Sequence, residues 1–222
     1  MRSSGFTIAE AVIVTGLAGL LIGGVWVGAS KARRSIAIQT SADQLYQIMN
    51  NVRGIYMSRP GMFIDNTAVP GCGAANFSSR LSCQGAFPAD IVQGGAGGLA
   101  FHSWDQAFAG GSVPLNPMGN TLVVGPAVAP GINSFSVRFW NLPVDVCITL
   151  ATGHSTPDQN LMLKAVIFRD DADNPVVEHV TPDWMQAGRL ALPVSLAQAA
   201  ATCQNIMDGG SLPALEWVFM LR

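Results

Sequence analysis

An uninterrupted apolar run near the N-terminus constrains this chain more than any other feature. Residues 11–30, AVIVTGLAGLLIGGVWVGAS, are twenty consecutive uncharged residues. A helix rising 1.5 Å per residue makes such a run about 30 Å long, the thickness of a bilayer's hydrocarbon core. A secretory signal peptide would instead have a basic segment first, a shorter apolar core and a small-residue cleavage site after it. The run therefore predicts a membrane-spanning helix.

Composition predicts one globular domain after this run. Of the 222 residues, roughly 160 follow the N-terminal segment, enough for a single hydrophobic core. Hydrophobic residues make up 49% of the chain and charged residues only 12%. This balance is too apolar for a disordered chain and poor in charge for a soluble monomer. We therefore expect much of the surface to face lipid or other subunits.

The charges are divided unevenly along the chain. Residues 1–60 carry six Lys or Arg and two acidic residues, a net charge of +4, whereas residues 61–222 carry six and twelve, a net charge of −6. Binding of nucleic acid by the second part is not expected, because phosphate recognition needs a clustered basic surface. The basic first part could contact lipid phosphates or the acidic flank of a neighbouring subunit.

Glu10 is the one acidic residue beside the apolar run. A carboxylate in the membrane costs roughly 3 kcal/mol or more unless it is paired. Arg2 is the nearest cation in the sequence, and cleavage after Gly5 would create a second one, the α-amino group of Phe6. On a neighbouring, axially shifted helix, that amine could neutralise Glu10.

The sequence Gly5-Phe6-Thr7-Ile8-Ala9-Glu10, followed at once by the apolar run, resembles the cleavage and methylation signature of type IV prepilins. The resemblance implies that a prepilin peptidase cuts after Gly5 and methylates Phe6, and that Glu10 guides assembly. It implies a non-enzymatic structural subunit, held in the inner membrane with its head in the periplasm and then polymerised into an extracellular pilus. The implied partners are other copies of the chain, the peptidase, an assembly platform with its ATPase, and membrane lipid before assembly. No cofactor and no nucleic acid are expected.

Three alternatives remain open from the sequence. One is a minor pilin or type II secretion pseudopilin. Another is a membrane-anchored periplasmic enzyme or binding protein, for which Gly5 and Glu10 would belong to a simple signal anchor. The third concerns topology. Lys31, Arg33 and Arg34 follow the run, and the positive-inside rule would place this end of the helix, and the head with it, on the cytoplasmic side. The cysteines and the prepilin signature favour a head outside the cytoplasm.

Helical periodicity continues beyond the membrane-spanning candidate. Leu45, Ile48, Met49, Val52, Ile55 and Tyr56 recur at spacings of three and four residues. They predict one helix over residues 7–57, about 75 Å long, which ends at Pro60 and Gly61 and packs one stripe on the head. The pairs Gly19/Gly23 and Gly24/Gly28 favour close helix contact or simply reflect the tolerance of membrane helices for glycine, and Gly23-Gly24 could bend the helix.

We predict four segments: a leader (residues 1–5), a membrane-spanning and polymerisation helix (6–30), an amphipathic stem (31–59) and a globular α+β head (60–222). Residues 61–120, rich in Gly, Ser, Asn and Pro, predict a long irregular connection. The predicted strands cover residues 121–128, 134–140, 161–168, 176–180 and 215–221. The predicted helices cover residues 144–151 and 196–207, the second with Ser195 as N-cap. Together they predict an antiparallel sheet with the stem helix on one face.

Four cysteines are present, Cys72, Cys83, Cys147 and Cys203, without any CxxC motif. Zinc-ribbon and thioredoxin spacings are therefore absent. After a membrane segment, two disulfides in an oxidising compartment are favoured over four buried thiols. Pairing Cys72 with Cys83 is the simplest of three connectivities, and joining Cys147 to Cys203 would close a loop of about 57 residues.

The placement of the last two cysteines resembles the C-terminal disulfide-bounded region of type IVb pilins, in particular the PilS-like pilins of thin pili. Leu142-Pro143 lies ahead of Cys147, and the stretch from Ser195 leads to Cys203 before a final strand. The resemblance implies a pilus used for adhesion, conjugation or aggregation. The leader of five residues is shorter than is usual in type IVb precursors.

Candidates for chemistry in the head are few. Asp170, Asp171 and Asp173 lie beside Asn174 and Pro175, a set that favours a solvated turn over a calcium site. The three histidines, His102, His154 and His179, are dispersed and no HExxH or GxSxG motif is present. Residues 23–28 have the glycine spacing of a P-loop, but Ala29 stands in place of its lysine. We therefore expect no catalytic and no metal site.

Overall fold

A computed structural model describes residues 8–58, 81, 84–87, 122–126, 134–156, 162–172 and 174–221. The chain begins in this structure with a single helix, α1, over Ile8–Ser58. Its 51 residues correspond to a length of about 75 Å. The prediction of one continuous helix is confirmed, and Gly23 and Gly24 do not interrupt it. Pro60 and Gly61, the predicted helix end, lie outside the described residues.

The second half of α1 contributes a buried stripe to the head. Its buried residues are Ser41, Ala42, Gln44, Leu45, Ile48, Met49, Val52 and Tyr56. The predicted stripe is confirmed at every position except Ile55, which is partly buried against the same core. Because the apolar residues recur every three or four positions, they share one face of the helix, and Asp43, Gln47 and Asn50 are exposed.

The head contains one six-stranded sheet in the order β1-β2-β6-β3-β4-β5. The strands are β1 (Leu122–Pro126), β2 (Ser134–Phe139), β3 (Leu163–Arg169), β4 (Pro175–Val180), β5 (Leu190–Ala191) and β6 (Ala214–Met220). The five predicted strands are confirmed. The last strand, β6, lies in the middle and pairs antiparallel with both β2 and β3. The C-terminal segment of the chain is therefore integral to the sheet.

The predicted antiparallel sheet is confirmed for β1, β2, β6, β3 and β4, and one edge pair departs from it. β5 pairs parallel with β4, with His179 opposite Leu190 and Val180 opposite Ala191. A short 3-10 helix, Pro182–Trp184, follows β4 and turns the chain so that these two residues run beside it. Two residues are too few to produce an alternating pattern, so β5 could not be predicted from the sequence.

Two helices complete the head. α2 spans Val144–Gly153 and α3 spans Leu196–Asp208, close to the predicted ranges. Ser195 caps α3 as predicted, because its hydroxyl accepts from the backbone N–H of Gln198 at 3.3 Å and the Gln198 side chain accepts from the backbone N–H of Ser195 at 3.0 Å. This reciprocal pair is a capping box.

The two faces of the sheet have different surroundings. Alternate residues of β2 and β6, Phe135, Val137 and Phe139 with Leu215, Trp217 and Phe219, join the large core that includes α1, α2 and α3. A smaller apolar cluster of Ala165, Ile167, Val180 and Val218 packs with Trp184. The stem helix therefore shares the main core with one face of the sheet, as predicted.

Candidate assembly surface

The first part of α1 forms a long exposed apolar surface, which we call the exposed half and define as residues 8–36. Every residue in it is exposed. An 18-residue window has a mean hydropathy of 2.1 and none of it is buried. Its large exposed side chains are Ile8, Val12, Ile13, Val14, Leu17, Leu20, Leu21, Ile22, Val25, Trp26, Val27 and Ile36. By length and composition, this helix could cross a membrane.

Polar side chains inside the apolar surface form hydrogen bonds within the helix. The Thr15 hydroxyl donates to the carbonyl of Ala11 at 2.8 Å, and the Ser30 hydroxyl donates to the carbonyl of Val27 at 2.8 Å. In hydrocarbon, a hydroxyl without an acceptor is costly. These two residues are therefore compatible with a lipid or helix-bundle environment.

Glu10 lies in the first turn of α1 and is exposed. No other acidic residue occurs on α1 before Asp43, so one carboxylate marks the start of the apolar surface. The other two residues of the predicted processing site, Gly5 and Phe6, lie outside the described residues. Their predicted roles and the pairing of Glu10 with a neighbour's amine stay predictions.

The glycines of the exposed half face open space. A Cβ atom built on Gly19, Gly23, Gly24 or Gly28 would meet no heavy atom within 4 Å. Nothing else in the described chain therefore requires glycine there. Close approach of a second helix would require small residues at such positions, so packing between chains stays one of the two interpretations.

The packed half of α1, residues 41–56, is attached to the head by polar contacts as well as by its apolar stripe. The Tyr46 hydroxyl lies 3.0 Å from Nδ1 of His154, at the end of α2, and the two rings meet edge to face. Burial lowers the pKa of His154, and the negative charge of Asp43 opposes part of that shift. His154 is thus favoured in its neutral form, which suits a hydrogen bond to a phenol.

Where the exposed half meets the head, Arg34 forms an ion pair with Asp145 in the first turn of α2. Both side chains are about half exposed, at 45% and 57%, so the pair positions the two elements and stabilises them little. At the other end of the packed half, the side-chain amide of Asn51 donates to the carbonyl of Ala86 at 3.1 Å. The stem is therefore held to the head at both of its ends.

Cys147 and Cys203 form a disulfide between α2 and α3, with the Sγ atoms 2.07 Å apart. Both cysteines are fully buried in the main core. The bond closes a loop across a sequence separation of 56 residues, which in the chain-entropy treatment stabilises a fold by about 4 kcal/mol. Cys72 and Cys83 lie outside the described residues, and their pairing stays a prediction.

A buried charged cluster was not predicted from the sequence. The Glu216 carboxylate accepts from Nη2 of Arg138 at 2.7 Å and from Nε of Arg169 at 2.6 Å. The side chains of Arg138 and Glu216 are only 1% and 2% exposed. The three residues belong to the adjacent strands β2, β6 and β3, so the cluster joins the middle of the sheet. All six residues of Ser134–Phe139 are buried, including the polar Ser134, Ser136 and Arg138.

The aspartate-rich segment forms a turn between β3 and β4. The Asp170 carboxylate accepts from the backbone N–H of Asn174 at 2.7 Å and from its side-chain amide at 3.1 Å. These hydrogen bonds lower the pKa of Asp170. Asp171 accepts from the Ser211 hydroxyl at 2.7 Å. Asp173 lies outside the described residues, so the calcium interpretation is untested.

No group of three or more His, Cys, Asp or Glu side chains that could hold a metal ion occurs in the part of the chain described here. His154 contacts Tyr46, whereas His179 contacts the carbonyl of Ala191 at 3.3 Å. His102 lies outside the described residues. Comparison with known proteins found no matching family model and no matching curated protein.

Proposed function

We propose that this chain is a structural type IV pilin, most similar to the type IVb pilins. One observation carries the proposal: a single unbroken helix leaves its apolar first half wholly exposed, with Glu10 at its start, while its second half belongs to the core of a disulfide-bonded head. Such a helix needs lipid before assembly and other helices afterwards, because water is an unfavourable environment for so much apolar surface.

The exposed half must be covered by lipid or by other helices both before and after assembly. Each large apolar side chain that leaves water contributes about 1.5–3 kcal/mol, and twelve such side chains are exposed there. In the membrane, lipid covers them, and in a fibre the same surface packs against copies of itself. Small residues at Gly19, Gly23, Gly24 and Gly28 would let the helices approach closely.

Glu10 gives the proposed fibre its register. A carboxylate among apolar helices is costly unless a positive charge lies near it, so a neighbouring subunit is favoured at the axial offset that brings its Phe6 amine to Glu10. Cleavage after Gly5 by a prepilin peptidase creates that amine. The subunit is thus held in the inner membrane until an assembly platform and its ATPase extract it.

The head forms the outer surface of the proposed fibre, which serves adhesion, conjugation or aggregation. The Cys147–Cys203 disulfide suits an oxidising location outside the cytoplasm. Minor pilins and pseudopilins would share these features. The amount of the chain in sheared surface material distinguishes a main subunit, which dominates it, from a priming or tip subunit.

Processing is the first test. The full precursor is expressed with and without a prepilin peptidase, and the mass and N-terminal sequence of the product are determined. The proposal expects a new, methylated N-terminus at Phe6 only when the peptidase is present. An intact Met1 in both cultures, or a cut near Ser30, would contradict it and indicate an anchored or secreted domain.

Assembly is the second test. Glu10→Ala should abolish fibres while the membrane-held subunit remains at its normal level, because only the pairing between subunits is lost. Asp43→Ala is the matched control, since it removes the other exposed acid of α1 outside the apolar run and should leave fibres intact. Normal piliation in Glu10→Ala would count against the pilin scheme.

A further inference from the structure

Two cations directly after the apolar run, Lys31 and Arg33, have no assigned role in the proposed function. Both are exposed, and within the described residues neither has an ion-pair partner. Arg34, beside them, is held by Asp145 of the head. No acidic residue occurs on α1 between Glu10 and Asp43, so Lys31 and Arg33 form a positive region on the helix that no acidic residue of the described segments pairs with.

The distance of these cations from Glu10 along the helix matches the thickness of a bilayer's hydrocarbon core. Lys31 follows Glu10 by 21 residues, about 32 Å of helix, and the hydrocarbon core of a bilayer is about 30 Å thick. Trp26 precedes Lys31 by little more than one turn and is 74% exposed. Tryptophan is enriched where the hydrocarbon meets the headgroups. If α1 spans a bilayer, Lys31 and Arg33 lie at the headgroups on the head side.

The directions of the Lys31 and Arg33 side chains distinguish lipid headgroups, which surround the helix, from a protein docked on one side of it. Lys31 and Arg33 are two residues apart and so point about 200° from each other around the helix axis. Arg33 follows Trp26 by seven residues and shares its face. A single protein surface docked on one side could neutralise one of the two cations, whereas headgroups surround the helix and reach both.

We propose that Lys31 and Arg33 form an anionic-lipid collar, which binds the phosphate groups of anionic phospholipids in the head-side leaflet before the subunit is assembled. The inference rests on the proposed function, because it requires α1 to span the membrane. Packing of residues 41–56 in the core of the head places the head just beyond this level, so the collar also sets the height of the head over the bilayer.

The test uses the full chain reconstituted in bilayers of phosphatidylcholine and phosphatidylglycerol. Complexes are released in mild detergent, and the lipids that stay bound are counted by native mass spectrometry. The wild-type chain should retain phosphatidylglycerol in preference to phosphatidylcholine. The double variant Lys31→Gln/Arg33→Gln should lose between about fivefold and 25-fold of this preference, since one cation near an anionic surface changes binding about fivefold.

Two control variants separate position from charge. Lys31→Arg/Arg33→Lys keeps both charges and should keep the preference. Lys164→Gln removes a positive charge from β3 in the head, where Lys164 pairs with Asp183, and should also keep it. If Lys164→Gln lowers the preference as much as the double variant does, net charge and not the collar is responsible, and the proposal is overturned.

The remaining outcomes are equally decisive. Undiminished phosphatidylglycerol retention in the double glutamine variant would overturn the collar, and reduced association between subunits in that variant would assign the cations to a neighbouring chain instead. An alkaline wash of the vesicles separates the two proposals. A wild-type chain that washes off does not span the bilayer, so the proposed function fails with the collar, whereas a retained chain without lipid preference defeats the collar alone.

Discussion

The two halves of α1 have the same backbone conformation and opposite surroundings. Residues 8–36 are exposed throughout, whereas Leu45, Ile48, Met49 and Val52 are at most 2% exposed. The difference lies in the pattern of side chains. Apolar residues surround the exposed half on all sides, as in helices that are covered by lipid or other helices, whereas the packed half has one apolar stripe and a polar back that suits one sheet face. One continuous helix therefore has one half suited to lipid or other helices and one half suited to the core of the head.

Removing the exposed half gives the sharpest contrast between the two. A chain beginning at Ile36 should lose membrane retention completely, because the only described helix able to span a bilayer is cut. Its head should lose no more than about 1 kcal/mol of unfolding free energy, the most that the exposed Arg34–Asp145 pair contributes. Fractionation and chemical unfolding measure the two effects. A head that fails to fold without residues 8–35 would show that the halves are not independent.

The buried cluster in the sheet tests how much of the head's stability is independent of the helix. Glu216→Gln should lower the unfolding free energy by about 3–5 kcal/mol, because it removes the negative charge that Arg138 and Arg169 both contact in the interior of the sheet. The exposed ion pair provides the comparison, since Asp145→Asn removes a carboxylate from an equally direct contact at the surface and should have little effect. Equal losses for the two variants would contradict the assigned burial.

A single side chain in each half gives the next contrast. Ile48→Ala should lower the unfolding free energy by about 2–5 kcal/mol, since Ile48 is 0% exposed and its loss leaves a cavity. Ile22→Ala makes the same chemical change at a side chain that is 70% exposed and should leave the unfolding free energy of the head unchanged. Denaturant unfolding in detergent measures both, and similar losses would contradict the division of α1.

The pH dependence of stability tests the contact between the packed half and α2. Burial lowers the pKa of His154 below 6.5 in the folded chain, so below about pH 6.5 the unfolded state binds more protons than the folded state. Stability should therefore fall as the pH decreases from 6.5 and level off below the folded pKa. His154→Gln should make the curve flatter.

His179 is the control for that experiment, because burial lowers its pKa as well and its ring contacts the carbonyl of Ala191 in β5 instead of Tyr46. The variant His179→Gln should remove a separate share of the slope, and the double variant should remove both. If His154→Gln leaves the slope unchanged, protonation does not weaken the contact between Tyr46 and His154.

Local patterns in the sequence predicted local structure well. The spacing of Leu45, Ile48 and Val52 predicted the buried stripe, and Ser195 predicted the start of α3, because both depend on residues within a few positions of each other. The contacts that join distant segments were not predictable in this way. Arg34 and Asp145 are 111 positions apart, and Arg138 and Glu216 are 78 apart.

The same distinction between local patterns and contacts of distant segments applies to the candidate assembly surface. Its apolar length and the position of Glu10 could be read directly from the sequence, since they depend on consecutive residues. The pairing of Arg34 with Asp145, beside which Lys31 and Arg33 have no ion-pair partner among the described residues, required the tertiary structure. Burial of Ser134, Ser136 and Arg138 was missed because alternation reports which residues share a face and not whether that face is covered.

Because α1 is one continuous helix, the orientation of the head about the helix axis is coupled to the contacts that the exposed half makes. Successive residues of an α-helix differ in direction by about 100° and in height by 1.5 Å. If a contact made by one residue of the exposed half were made by the next residue instead, the head would shift along the helix axis by about 1.5 Å and would rotate about that axis by about 100°. The apolar side chains of the exposed half, about 50 Å away, therefore determine the orientation of α2, α3 and the sheet.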